Sequence, residues 1–148
     1  METLMNHTTP LAMAGTVRMY HGAQQRFERF SLDFAARPGM SGNGHLGVWL
    51  AVGRELAERF GKTCLDVDVR VEKPYVMQLQ ELSRLNNEVG RLTRELADDD
   101  EVAATERRIY TAYRTELIIQ GYDIIYLQEP DGRIDMAIGL MPDKLSIQ

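Results

Sequence analysis

Gly42-Asn43-Gly44-His45-Leu46-Gly47-Val48-Trp49-Leu50-Ala51-Val52-Gly53-Arg54-Glu55-Leu56-Ala57-Glu58-Arg59-Phe60-Gly61 runs a glycine-rich loop into a short apolar strand and then a helix. Gly42, Gly44 and Gly47 permit positive φ or a close approach of the backbone to a ligand. Val48 to Ala51 reads as the core of a strand, and Trp49 within it is the sole tryptophan. Arg54 to Phe60 consists of helix formers, with Leu56, Ala57 and Phe60 on one face and Gly61 placed to cap the end. Together these features predict one wall of a ligand cleft.

Around this stretch the chain has the size of one compact domain, 148 residues with 44% hydrophobic content. The formal net charge of -5, with the acidic residues dispersed, lacks the electrostatic footprint of a general nucleic-acid or anionic-membrane binder. Cys64 is the single cysteine, so an internal disulfide is excluded, a zinc cluster of the usual spacing is not expected, and a reducing, cytoplasmic setting is. No apolar run approaches the ~20 residues of a membrane span, and Met1 to Ala14 lacks the basic start and apolar centre of a signal peptide. Residues 1–15 are expected to be a flexible lead-in and residues 16–148 the domain.

Upstream of the opening stretch, Thr16 to His21 alternates as a strand that Gly22 ends, so His21 and Gly22 are expected at its C-terminal mouth. Ala23 to Ser41 holds Phe27, Phe30, Leu32 and Phe34 among charges and reads as a partly helical loop, pinned by aromatics, that covers a cleft. Downstream, Thr63 to Val71 alternates apolar and polar without a break, the period of a strand with one buried face, and Pro74 closes it. Tyr75 to Ala97 carries Val76, Leu79, Leu82, Leu85, Val89, Leu92 and Leu96 at helical spacing, with a break expected near Asn86-Asn87 or Gly90.

The acidic run Asp98 to Glu101 reads as a turn and as the start of a helix over Val102 to Gln120; as a solvated cap it needs no metal. Gly121 ends that helix. Tyr122 to Leu127 is a predicted strand, Pro130-Asp131-Gly132 a turn, Arg133 to Leu140 the antiparallel partner, and Lys144 to Ile147 a short edge strand. Strands near both ends with helices gathered in the middle predict an α+β domain with a mostly antiparallel or mixed sheet.

The order and spacing of these pieces resemble a known family. A strand ends Tyr20-His21-Gly22, Gly47 to Ala51 runs toward Phe60-Gly61, and Val67-Asp68-Val69 precedes Pro74. Gly121-Tyr122-Asp123-Ile124-Ile125 and Met141-Pro142-Asp143-Lys144-Leu145 follow. The set resembles the ADP-ribosyltransferase superfamily, in its histidine-tyrosine-glutamate branch, and in particular small transferase domains of phage and bacterial polyvalent proteins.

That resemblance implies a split mixed sheet, NAD as substrate, no metal, and transfer of ADP-ribose to a macromolecular acceptor, expected to be protein, with release of nicotinamide. It implies that His21 bonds the adenosine ribose, that Gly22 pairs through its backbone with the nicotinamide amide, and that Trp49, beside Gly47, stacks on the ring where the family has tyrosine. It implies that Asp135 stands in for the family's glutamate, with Glu129 as a second candidate, to stabilise the positive charge that develops on the ribose.

From pattern alone, His21 also reads as a satisfied strand-end residue, Trp49 as a core aromatic and Asp135 as an exposed strand residue. Two functions therefore stand side by side. One is an NAD-dependent mono-ADP-ribosyltransferase, a cytoplasmic phage or bacterial effector; the other is a transferase-like binding or inhibitor module with weakened catalysis. Nucleic acid is disfavoured as a partner by the net charge, no membrane partner is expected, and the oligomeric state is left open.

Overall fold

The computed structural model describes residues 15–31 and 42–148. It is an α+β fold on one mixed seven-stranded sheet, with strands β1 (Gly15–Ala23), β2 (Val48–Ala51), β3 (Thr63–Val71), β4 (Pro74–Gln78), β5 (Ile124–Gln128), β6 (Ile134–Gly139) and β7 (Leu145–Ile147). Helix α1 is the single turn Arg54–Ala57, α2 spans Leu79–Thr93 and α3 spans Asp99–Ile119; a 3-10 turn covers Gly42–Leu46 and another Pro142–Lys144. The strand order is β4-β5-β6-β2-β1-β3-β7. Every neighbouring pair is antiparallel except β4 with β5. Parallel neighbours need a long crossover, and α2 with α3 supplies it, which is why the helices lie in the middle of the chain.

The sheet has two differently built cores. One is made by six strands and Phe30 without any helical residue: Met19, Leu50, Leu65, Val67, Tyr126, Ala137 and their neighbours are sealed against one another. A flat sheet could not close over them. Leu145 of β7 lies against Gly139 of β6, at 3.0 Å from where a Cβ would stand. Those strands are four steps apart in the sheet, roughly 19 Å if it were flat. The sheet therefore curls until its inner face packs on itself. On the other face, Leu82 and Val89 of α2 and Tyr110 and Leu117 of α3 pack on Met77, Ile125, Leu127 and Ile138.

A buried carboxylate pins the closure. Asp123, 3% exposed, accepts from the backbone N–H groups of Glu72 (2.7 Å) and Lys73 (3.2 Å) and from Lys144 Nζ (2.9 Å). Lys144 also reaches Glu72 at 3.2 Å, and the hydrogen bond it donates to Asp123 is the main reason its ammonium pKa is raised. The β3–β4 corner, the start of β5 and the turn after β6 thus meet at one ion pair, whose buried carboxylate is met by three donors.

Several sequence expectations are corrected. Tyr75 to Ala97 is not all helix: Pro74 to Gln78 is the edge strand β4, and α2 runs without a break from Leu79 only to Thr93. Pro74, lacking an N–H, suits the first position of an edge strand, and Met77 is buried while Val76 faces solvent. A strand's alternation hid inside a helical spacing. Pro74 opens β4 and does not close β3, which ends at Val71. Gly22 does not end β1, since Gly22 pairs with Cys64 and Ala23 with Thr63.

The helix after Gly53 stops at Ala57, so Phe60 is not on a buried face but 57% exposed. Gly61 has no positive φ; its missing side chain admits the backbone of Ala23. Helix α3 starts three residues before the expected Val102 because Asp98 caps it, accepting from Asp100 N–H at 2.9 Å. The expected lead-in lies outside the described residues up to Gly15, as do Leu32 and Phe34.

Candidate functional site

Strands β1 and β2 share one residue pair, Tyr20 with Ala51, and then separate. His21 bridges the gap, with Nδ1 2.7 Å from the carbonyl oxygen of Trp49. A carbonyl can only accept, so Nδ1 carries the proton and, in the neutral ring, Nε2 is left with a lone pair. Burial lowers the His21 pKa below 6.5, with the Trp49 carbonyl opposing, so the neutral ring is favoured near neutrality. Phe27 and Phe30 meet the imidazole edge to face at 5.9 and 5.1 Å and fix its plane.

The separation opens a cavity of about 760 Å³. Tyr20, Phe27, Phe30, Trp49 and Phe60 give it aromatic walls, and His21, Gly22, Gly44 and Gly47 line it too. Among the described residues no Asp, Glu, Lys or Arg lines it. Such walls suit a flat ring with a few polar edges. The glycines have structural work of their own. A Cβ on Gly22 would overlap the carbonyl oxygen of Ala57, and Gly47, at φ 153°, leaves no room for a Cβ beside the carbonyl oxygen of Gly139.

Alternation along the strands sets how His21 and Trp49 enter the cavity. Val48 and Leu50 point into the strand-only core, so the indole between them leaves on the other face and packs on the helical core. His21 follows Val17 and Met19 onto the opposite face. The two rings reach one cavity only because it sits in the slit where the strands part. Trp49 is held there by its Nε1–H, which donates to the Asn43 carbonyl at 3.1 Å in the first 3-10 turn.

Asp135 is placed differently. Ile134 pairs with Gln128 and Met136 with Leu127, so Asp135 is the extra residue of a β-bulge. Its carboxylate is 40% exposed and is gripped by Arg133 Nε at 3.0 and 2.8 Å. It does not line the cavity, although the next residue, Met136, does. Glu129 sits in the β5–β6 turn, its N–H donating to the Arg133 carbonyl at 2.8 Å, also outside the lining. The structure thus brings together His21, Gly22, Gly47 and Trp49 and leaves both candidate carboxylates apart.

No protein-family model matches the chain, and no curated protein matches it. Among solved structures, the crystal structure of an anti-CRISPR protein is similar at a TM-score of 0.47 and 13% identity, over 90% of this chain and 95% of that one. A likeness of that strength carries no functional argument.

Sequence reading missed three contributors to the site. Phe60, expected on one helix face with Leu56 and Ala57, forms part of the wall; Tyr20 and Met136 carry no local signal for it, since each is brought to the cavity only by pairing with Ala51. Among the described residues, no group of three or more His, Cys, Asp or Glu is disposed to hold a metal ion, and no helix is long and apolar enough to cross a membrane.

Proposed function

We propose that the cleft binds NAD through its nicotinamide end and that the domain is a mono-ADP-ribosyltransferase acting on a protein acceptor, a cytoplasmic phage or bacterial effector. The observation that supports this reading is the convergence of His21, Gly22, Gly47 and Trp49 on one aromatic-walled cavity. The neutral imidazole offers Nε2 as an acceptor for a ribose hydroxyl, and the edge of β1 beyond Tyr20, unpaired toward β2, offers backbone groups to a carboxamide. Transfer then asks Asp135 to exchange Arg133 for the ribose. Exposed ion pairs of this kind hold by only ~0–1 kcal/mol, so the exchange is affordable.

A second reading is favoured by the same carboxylate. With Asp135 outside the lining and paired, the cleft binds NAD without turning it over, as a binding or inhibitor module. Fluorescence of Trp49 during titration with NAD and nicotinamide, run beside transfer of labelled NAD in cell lysate, separates the readings. The transferase reading expects quenching, label on acceptor, and a ~100-fold loss of label in Asp135→Asn with quenching intact. Quenching without label in the parent leaves the binding module. Absence of quenching overturns both.

A further inference from the structure

No cation lines the cavity among the described residues, yet a nicotinamide nucleotide seated there carries a phosphate one ribose away from its ring. A cation stands against the wall itself. Tyr20 lines the cavity, and the guanidinium carbon of Arg54 lies 5.0 Å from the centre of the Tyr20 ring. Arg54 also follows Ala51 by three residues and precedes Ala57 by three, and both alanines line the cavity. Strand pairing sets the side. Tyr20 and Ala51 stand opposite one another in the β1–β2 pair, so their side chains leave by the same face, and Trp49, two residues before Ala51, leaves by it as well. Arg54 is therefore at the rim of the cavity, on the side from which the indole enters.

The partners of Arg54 leave it free to change hands. Its Nη2 donates to Asp66 Oδ1 at 2.5 Å, in an ion pair that is partly open to solvent on both sides. Asp66 has a second partner, because Arg18 Nη1 reaches its other oxygen at 3.4 Å while Arg18 Nε donates to Asp68 at 2.6 Å. Across the β1–β3 pair Asp66 stands opposite Tyr20 and Asp68 opposite Arg18, so two arginines and two aspartates form one ladder beside the ring. When Arg54 turns to a phosphate, Asp66 keeps Arg18, and neither carboxylate is left without a cation. Exposed pairs hold weakly, and the Tyr20 ring keeps the guanidinium at the rim through the exchange.

We propose that Arg54 is the phosphate-binding residue of this cleft and takes the 5′-phosphate of a nicotinamide nucleotide whose ring lies in the cavity. The inference rests on the nicotinamide reading of the cleft. A guanidinium presents a fork of N–H donors that matches two phosphate oxygens at once, where an ammonium acts as a point charge. Asp66 is a positioning residue here. It aims Arg54 along the rim in the free protein and competes with the phosphate for it.

The test reads Trp49 fluorescence of the full chain, at constant ionic strength, during titration with nicotinamide riboside and separately with nicotinamide mononucleotide. These ligands differ by the 5′-phosphate alone. The mononucleotide should bind the parent about tenfold more tightly. Arg54→Gln should bring the two affinities together without weakening the riboside, and Arg54→Lys should keep part of the difference, since a point charge replaces the fork. Asp66→Asn should widen the difference several-fold, and adding Arg54→Gln to it should remove that gain. Opposite effects from the two members of one ion pair are not what a purely structural pair gives. Equal affinities in the parent, or a difference that survives Arg54→Gln, overturn the proposal, and quenching by the riboside then leaves the cleft reading standing. No quenching by either ligand overturns both.

Discussion

His21 and Asp135, the two ends of the expected site, are held by different physics. His21 is enclosed by two phenylalanine edges and tied to a backbone carbonyl, so its ring plane and tautomer are set before any ligand arrives. Asp135 stands on a bulge in solvent and answers to one arginine two residues away. Groups held by burial are preorganised, whereas groups held by a surface ion pair exchange partners at small cost. The wall of the cavity that carries His21 is therefore built in the resting protein, and Asp135 is not part of it.

The contrast can be broken most severely at Gly22. Gly22→Val drives a side chain into the Ala57 carbonyl, where backbone on both sides leaves no escape. A loss of about 3 kcal/mol or more in chemical denaturation is expected, with β1 unseated from α1. A variant as stable as the parent would mean that the wall yields and that His21 is less firmly held than its contacts imply.

A smaller loss, about 2 kcal/mol, is expected for His21→Ala, which removes a packed ring and the bridge across the β1–β2 gap. Nicotinamide quenching of Trp49 should vanish in the same variant. If quenching survives, the cleft does not use His21.

The pH dependence follows from the lowered pKa of His21, whose main cause is burial. The unfolded chain takes up its proton near 6.5 while the folded chain resists. Stability from this group is thus present above 6.5 and lost as pH falls through 6.5 toward the folded value, at up to about 1.4 kcal/mol per pH unit. His45, also lowered, adds a loss of the same sign. Thermal melts of the parent between pH 7.5 and 5, within roughly the range where histidines titrate, should fall, and His21→Gln should flatten part of that fall. An unchanged slope would place the titration elsewhere.

At the small end is Asp135→Asn, expected to shift stability by no more than about 0.5 kcal/mol because it removes one exposed pairing. A loss several times larger would show that the bulge depends on the Arg133 contact and that the carboxylate is structural.

Residues close in sequence made most of the fold legible. Thr63 to Val71 alternates as a half-buried strand must, Asp98 and Gly121 bracket α3, and the β5–β6 hairpin follows from two apolar runs around Pro130-Asp131-Gly132. The candidate site was half legible, because His21, Gly22, Gly47 and Trp49 meet on one cavity, but nothing local says whether a carboxylate joins them. Nor could periodicity tell the strand in Tyr75-Val76-Met77 from the first turn of a helix. Parallel pairing with β5 decided that, and its partner lies about fifty residues away.

By itself, then, the sequence determined which segments alternate, which turn and which cap, since these depend on neighbours within a few residues. The tertiary structure alone decided the curl of the sheet, the Asp123–Lys144 pin, the parting of β1 from β2, and the arrival of His21 and Trp49 from opposite faces at one slit. Each is a contact between residues far apart in the chain, and such contacts exist only once the sheet has closed.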